Sequence, residues 1–270
     1  MFKGFKLKSL NFDNDRNDYY KIGKRLYKNN KYQVNSSLES FFLNNKDLDG
    51  TKIINSWFPQ INAHIFISHS HRDEDSVIKL AEWLNYHFNI NSFIDSCIWG
   101  YGNDLSKILD DKFSWLDKEN RIYEYEKVLN STGHVHMMLS TALTTMMDKT
   151  ECLIFYDSPN SIKPFKEIDK TESPWIYSEI AISQMLRQNI PARVRSKRLF
   201  EEKLNLYALE RREIQKSLTI KYDLFNKHLI NIDADTLNNW ASYPTPETAE
   251  KALDLLYEIS EPAKSFKLID

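Results

Sequence analysis

The stretch Ala63-His64-Ile65-Phe66-Ile67-Ser68 decides the fold class of this chain. It is a short apolar run that ends in polar residues, as expected of a strand covered on both faces of a sheet. A helical repeat follows, because Val77, Leu80, Ala81 and Leu84 stand at positions i, i+3, i+4 and i+7. A strand followed by a helix is the repeating unit of parallel sheets with helical crossovers, so this stretch predicts an α/β fold.

Further stretches extend the alternation of strands and helices. Residues 90–95 and 151–156 are apolar runs that we interpret as the second and third strands, and residues 228–232 read as a later strand. The polar segment 103–150 is predicted to be mainly helical, with an interruption near residues 131–133. Strands that alternate with helices in this way predict a parallel sheet with crossover connections.

The first part of the chain has a different character. Residues 1–60 are polar and rich in Asn and Lys, with short helical patterns at residues 19–27 and 38–43. Such a segment is too small and polar to form a stable core alone. We therefore expect a helical N-terminal extension over residues 1–60, followed by the main domain over residues 61–270.

The C-terminal part predicts further helices. A charged helix is expected over residues 197–217, and a closing helix begins at Thr245, with Pro246 as its first helical residue. A fourth strand after Pro191 is poorly supported, because Arg193 and the basic residues that follow it crowd the stretch. We interpret this region as a C-terminal helical elaboration of the main domain.

Composition narrows the class of protein. The 270 residues include 36 basic and 38 acidic ones, and this balance argues against a broad nucleic-acid-binding surface. Cys97 and Cys152 are the only cysteines, which favours a reducing compartment over a disulfide framework. No apolar run approaches the roughly 18 residues that span a membrane, and the charged N-terminus is not a signal peptide. We expect a soluble, cytoplasmic protein.

Three stretches, in this order, resemble the sequence boxes of TIR (Toll/interleukin-1 receptor) domains. Residues 65–73 are an apolar strand that ends in Ser, and residues 93–102 are a strand whose Asp95 is followed several positions later by Gly. The most specific is Ser173-Pro174-Trp175-Ile176-Tyr177-Ser178-Glu179, which resembles the Ser…Trp-x-x-x-Glu helix of the family. The resemblance covers residues 63–190, about half of the chain.

The resemblance implies a fold and an activity. The fold is a flavodoxin-like, doubly wound parallel sheet of about five strands in the order 2-1-3-4-5. Family members that cleave NAD+ use the glutamate of the third box, here Glu179, so NAD+ is the implied substrate and no cofactor is expected. The long form of the chain resembles bacterial TIR proteins of antiphage defence, including the sensor component of Thoeris systems.

Physical reasoning points to Glu179 independently. Ligands of open α/β sheets bind beyond the carboxyl ends of the strands, where the strand order reverses. With Ser173 as N-cap and Pro174 next, Trp175 and Glu179 lie four residues apart on one helix face beside that crevice. Cleavage of the nicotinamide–ribose bond develops positive charge on the sugar, and a facing carboxylate stabilises this charge. The sequence therefore predicts Glu179 as the catalytic residue.

The remaining candidates for substrate binding surround these loops. They are Ser68, Ser70, Arg72, Asp95, Trp99, Ser173 and Trp175. Asp95 and Trp99 are expected at the rim, although Asp95 has an alternative role as a turn residue and Trp175 as a core residue. The histidines, including His69, lack the spacing and partners of a metal site, so no metal is expected.

Two other functions compete with the enzymatic one. The chain is alternatively a non-catalytic TIR–TIR interaction module that associates through the loop 96–103, or a nucleoside deoxyribosyltransferase-like hydrolase. Trp175 before Glu179 favours TIR over the latter. No second catalytic or sensor domain is obvious, so we expect a separate effector or sensor protein as partner, besides self-association. The sequence is compatible with both hydrolysis and cyclisation of NAD+.

Overall fold

A five-stranded parallel sheet lies at the centre of the chain. The computed structural model describes residues 1–8, 10, 18–31, 38–43, 47–99, 102–165, 168–195 and 220–260. Its strands are β1 (Lys3–Lys8), β2 (Ile65–Ser68), β3 (Ser92–Phe93), β4 (Trp115–Asp117), β5 (Ile122–Tyr123), β6 (Cys152–Asp157), β7 (Lys163–Phe165), β8 (Ile168–Thr171), β9 (Tyr222–Asp223) and β10 (Ile230–Ile232).

Helices make up most of the remaining regular structure. They are α1 (Asp18–Lys31), α2 (Gly50–Trp57), α3 (Glu74–Phe88), α4 (Asp95–Ile98), α5 (Gly102–Phe113), α6 (Tyr125–Lys149), α7 (Pro174–Met185), α8 (Ala192–Arg195), α9 (Ala234–Ser242) and α10 (Ala249–Ser260). Short 3₁₀ helices cover Leu38–Phe41 and His71–Asp73. None of the helices in the described part of the chain has both the length and the apolar character needed to cross a membrane.

The central sheet confirms the predicted α/β class. Its strands stand in the order β10-β1-β6-β2-β3, and each neighbouring pair is parallel. Every residue of β2 and the first five residues of β6 are buried, so both faces of these two strands are covered. β4 and β5 form a separate antiparallel hairpin, and β7, β8 and β9 form a small antiparallel sheet.

The strand order agrees with the expected 2-1-3-4-5 only in its first half. The neighbours β3, β2 and β6 are the predicted second, first and third strands. The fourth position is occupied by β1 from the N-terminus, with β10 beyond it. Counted along the chain, the central strands follow the order 3-2-4-1-5. The predicted order is wrong at its fourth position, which β1 fills, whereas the predicted strand at residues 228–232 is β10 at the edge. The N-terminal segment is therefore not purely helical.

Alternation in the N-terminal sequence explains this correction. Phe5 and Leu7 are fully buried, whereas Lys6 and Lys8 point to the other side of the strand, as the period of two requires. The Lys6 ammonium is not left unpaired, because it lies 2.9 Å from Asp169 Oδ2. Lys3, Lys6 and Lys8, which make the start of the chain polar, therefore belong to a strand of the sheet.

The stretch after Pro191 forms the short helix α8 rather than a strand. Arg193 within it donates hydrogen bonds to Glu151 and Asp254, with a distance of 2.9 Å from its Nη1 to Glu151 Oε2. These bonds tie α8 to the start of β6 and to α10. The arginine that argued against a fourth strand thus has a structural role of its own.

Other predicted elements need smaller corrections. α6 continues through residues 131–133 without interruption, because Ser131 bonds to Asp110 and to the carbonyl of Val128. The last helix begins at Ala249 rather than near Thr245, and the hydroxyl of Thr248 accepts the Lys251 amide. The expected helices at residues 19–27 and 77–84 are confirmed as α1 and α3.

Several elements have no counterpart in the sequence prediction. They are α2, α9, the β4–β5 hairpin and the β7–β8–β9 sheet. The predicted helix over residues 197–217 lies outside the described residues. The pattern at residues 38–43 is a 3₁₀ helix rather than an α-helix.

Replacing Phe5 by Ala tests whether β1 is integral to the fold. Removing a fully buried phenylalanine is expected to lower the free energy of unfolding by about 3–5 kcal/mol. Lys8→Ala, on the exposed end of the same strand, is the control and is expected to change it by less than about 0.5 kcal/mol. Urea denaturation followed by circular dichroism measures both. A Phe5→Ala protein as stable as the parent would contradict the assignment.

Candidate active site

Helix α7 presents the predicted pair of side chains. Its N-cap is Ser173, whose Oγ accepts the Ile176 amide at 3.2 Å, and Pro174 is the first helical residue. Proline fits here because its missing amide hydrogen is not needed in the first turn. Trp175 and Glu179 are one turn apart, and both line the same cavity. The local geometry predicted for this motif is therefore present.

The Glu179 carboxyl group is enclosed at the end of β2. The residue is only 3% exposed, and the Ser68 hydroxyl donates a hydrogen bond to its Oε2. Burial raises the pKa of Glu179 well above its ordinary range, and the nearby charge of Asp95 acts in the same direction. The bond from Ser68 favours the ionised form but does not outweigh these two effects. At rest, Glu179 thus holds its proton to higher pH than a surface glutamate.

The cavity beside Glu179 brings together four of the eight predicted site residues: Asp95, Trp99, Trp175 and Glu179 itself. It measures about 100 Å³. Its lining consists of His71, Asp95, Ser96, Trp99, Gly102, Asn103, His136, Leu139, Leu143, Trp175 and Glu179. Two acids, aromatic rings and aliphatic side chains thus share one space. Because typical ligand pockets measure about 300–1,000 Å³, this one encloses only the part of a ligand that lies next to Glu179.

Asp95 lines the same cavity as Glu179 and has polar neighbours of its own. Its side chain is 26% exposed, and its Oδ1 lies 3.9 Å from Nδ1 of the buried His69. Burial lowers the pKa of His69, although the charge of Asp95 acts to raise it. Asp95 is therefore the more solvated of the two acids in the cavity.

Trp99 lies deeper than the rim position expected for it. It is 2% exposed, and its indole Nε1 donates to the carbonyl of Pro59 at 2.9 Å. Its ring packs edge-on against Phe58 and Phe93. Trp99 lines the cavity as a buried core residue, so its placement at the rim is wrong.

The four other candidates lie outside the cavity lining. Ser173 serves as the α7 cap, and Ser70 precedes the 3₁₀ helix without a side-chain capping bond. Arg72 is exposed and borders a separate depression with His71, Glu74 and Asp75. Ser68 is not among the lining residues either, but it reaches the site through its bond to Glu179.

Sequence reasoning missed two contributions to the site. The first is the wall supplied by α6, where His136 lies edge-on to Trp175 with ring centroids 5.6 Å apart. The second is Asp73, which accepts a hydrogen bond from the side-chain Nδ2 of Asn160 at 2.7 Å and another from the Ser158 hydroxyl. These bonds join the loops after β2 and β6. No local signal in the sequence pairs α6 with α7 or Asp73 with Asn160.

The arrangement suits one kind of chemistry. Within the described ranges, no group of three His, Cys, Asp or Glu side chains is placed to hold a metal ion. What the cavity offers is a carboxyl group that balances positive charge once ionised, a second acid within the same space, and the half-buried ring of Trp175. These groups fit a ligand that is cationic or becomes cationic during reaction, and that carries hydroxyl groups.

The enclosed carboxyl group has a consequence for stability. The pKa of Glu179 is higher in the folded than in the unfolded protein, so its protonated form is favoured by folding. Stability is therefore fully present below the unfolded value and declines as pH rises towards the folded value. Glu179→Gln removes the ionisable group and is expected to raise the melting temperature at pH 8. The rise is about 2–4 °C for each kcal/mol added to the free energy of unfolding.

The increase should shrink as pH falls towards 4.5, the ordinary pKa of a glutamate. Thermal unfolding of both proteins across this pH range measures the effect. Glu119→Gln changes an exposed glutamate, and its melting temperature is expected to match that of the parent at every pH. A Glu179→Gln protein that is less stable than the parent at pH 8 would show that the ionised carboxylate stabilises the fold.

Comparison with known proteins identifies no relative of this chain. No family model, no curated protein and no solved structure matches the chain. The likeness to TIR domains therefore rests on the three sequence stretches, on their order and on the position of Glu179.

Proposed function

We propose that this chain is a TIR-type enzyme that cleaves the nicotinamide–ribose bond of NAD+, with Glu179 as its catalytic residue. The observation that carries the proposal is the enclosed Glu179 carboxyl group, in one cavity with Asp95 and Trp175 at the end of a parallel sheet. The sequence likeness to the Ser…Trp-x-x-x-Glu helix selects NAD+ among the ligands that this chemistry accepts.

Bond cleavage transfers positive charge from the pyridinium ring to the ribose. The nicotinamide leaves as a neutral molecule, so its departure needs no general acid. The ionised Glu179 carboxylate faces the positive charge that develops on the sugar and stabilises it most in the transition state. Because Glu179 is only 3% exposed, this interaction is stronger than the same contact in water.

The raised pKa of Glu179 fits a cationic substrate. An enclosed, protonated glutamate loses its proton more readily when a positive ring enters beside it. Asp95 opposes ionisation of Glu179 in the free protein, and a bound cation offsets the repulsion between the two acids. The site therefore favours the oxidised, cationic nicotinamide ring over its neutral reduced form.

Trp175 has a separate role in this proposal. Its ring is only partly buried, lies one turn before Glu179, and contacts His136 on the opposite wall. An aromatic surface in this place covers the sugar or the base and excludes water from the reacting bond. The rest of the dinucleotide then extends from the small cavity to its open side, towards His71 and Asn103.

The interaction-module alternative requires an accessible loop after β3. The first residues of that loop form α4, and Ser96, Cys97, Ile98 and Trp99 are each less than 5% exposed. They pack into the protein, which disfavours them as a docking surface and supports the enzymatic proposal. A role in bacterial antiphage defence, in the cytoplasm and with a separate effector or sensor protein, extends the proposal on the strength of the sequence likeness alone.

Incubation of the purified protein with NAD+ at high protein concentration tests the proposal. Chromatography of the products is expected to show free nicotinamide together with ADP-ribose or a cyclic isomer of it. Glu179→Gln is expected to lower the rate by about 10²–10³-fold, the effect of removing a group that stabilises transition-state charge. Glu119→Gln is the matched control and should cleave NAD+ like the parent. Equal cleavage by the parent and Glu179→Gln would contradict the site assignment.

The pH dependence of kcat/KM provides a second test. Activity needs the ionised form of Glu179, so kcat/KM is expected to fall as pH drops through the raised pKa of this residue. The fall should therefore begin above the range in which surface glutamates are protonated. A profile that stays flat down to pH 4.5 would show that ionisation of Glu179 does not control the reaction.

A further inference from the structure

The buried His69 connects three polar groups near the cavity. The residue follows β2 directly and is 8% exposed. Its Nδ1 lies 3.3 Å from the carbonyl oxygen of Ile67, and its Nε2 lies 3.3 Å from the Ser96 hydroxyl oxygen. Asp95 Oδ1 is 3.9 Å from the same Nδ1. A serine, a histidine and an aspartate are thus placed in series.

The contacts fix the tautomer of the ring. The Ile67 carbonyl oxygen only accepts hydrogen bonds, so Nδ1 must carry the hydrogen in this contact. In the neutral ring, Nε2 then has a lone pair and accepts the Ser96 hydroxyl hydrogen. His69 is therefore oriented as a base towards Ser96, with a carboxylate and a carbonyl behind it to stabilise the imidazolium.

Ser96 is the member of the series that reaches the ligand space. It lines the same cavity as Glu179, whereas His69 itself does not. We infer that Ser96 and His69 form a relay that accepts the proton of the hydroxyl group attacking the ribose, with His69 as a positioning residue that acts through Ser96. This inference rests on the proposed cleavage of NAD+ and assigns the second half of that reaction.

The proton transfers balance as follows. The C–N bond to nicotinamide breaks with its electron pair on the nitrogen, and the oxygen of water bonds to the anomeric carbon. The water proton passes to Ser96 Oγ, while the Ser96 hydroxyl proton passes to His69 Nε2. The imidazolium, beside Asp95, then returns its proton to solvent. A ribose hydroxyl in place of water gives a cyclic product by the same steps.

Glu179 is poorly suited to accept this proton. Its carboxylate balances the sugar cation, and protonation before the new bond is complete would remove that charge. The Ser68 hydroxyl also occupies its Oε2. Burial keeps the ring of His69 neutral at rest, with His71 acting in the same direction, whereas the charges of Asp95 and Glu74 favour its protonated form. A separate acceptor thus leaves Glu179 ionised throughout the reaction.

Two measurements on the full-length protein distinguish the two halves of the reaction. Exchange of labelled nicotinamide into NAD+ reports bond cleavage without attack by a hydroxyl group. Formation of ADP-ribose or its cyclic isomer reports that attack. His69→Asn keeps a donor near the position of Nδ1 but lacks a base, and Ser96→Ala removes the relay hydroxyl. Ser96→Thr retains the hydroxyl, and His134→Asn changes an exposed histidine on α6 as the control.

The relay predicts a lower ratio of the rate of product formation to the rate of nicotinamide exchange when the relay is removed. In His69→Asn and Ser96→Ala, this ratio is expected to fall by about 10²-fold, the lower end of the effect of a positioned base. His134→Asn should keep the parental ratio, and Ser96→Thr should restore most of the ratio that Ser96→Ala loses. A ratio unchanged in Ser96→Ala would overturn the relay while leaving the proposed function intact, provided that cleavage still requires Glu179. Equal cleavage by the parent and Glu179→Gln would instead overturn both proposals.

Discussion

The hydrogen bond between Ser68 and Glu179 joins the end of β2 to helix α7 inside the protein, and the site depends on it. The two residues are 111 positions apart in the chain and meet because β2 and β6 pair in parallel at the centre of the sheet. Parallel strands place the loops that follow them at one edge, where ligands of open α/β sheets bind. The enclosed carboxyl group is costly to ionise in this place, because burial and the charge of Asp95 both oppose its ionisation.

Local patterns in the sequence predicted what depends on near neighbours. The α7 motif is an example, since its cap, its proline and the spacing of Trp175 and Glu179 are all set within one turn of helix. The apolar runs of β2 and β6 likewise identified two central strands. Local patterns did not predict the position of β1. Its Lys3 pairs with Cys152, which is distant in the sequence, and its lysines resemble those of a polar extension. The same holds for His136, which reaches Trp175 only through the packing of α6 on α7.

The proposed mechanism gives different roles to the groups around the cavity. In this proposal, the enclosed Glu179 carboxyl group ionises more readily when a cation binds beside it. The buried His69, which bonds to Ser96 and lies near Asp95, accepts a proton in the same proposal. Residues that make the site function in this way do not maximise stability, as is common where activity needs an unfavourable charge. The loops are held instead by contacts away from the reacting bond, such as those of Asp73 with Ser158 and Asn160.

The central claim is that the Glu179 carboxyl group holds its proton to higher pH in the free protein than in the protein with the cationic ring of NAD+ bound. Carbon-13 NMR of protein labelled at the glutamate side-chain carboxyl carbons measures this directly, with the Glu179→Gln protein identifying the signal. The account predicts that the Glu179 signal titrates well above the ordinary glutamate pKa of 4.5 in the free protein, and at lower pH when NAD+ is bound. A signal that titrates at or below 4.5 in the free protein, and that NAD+ does not move, would contradict it.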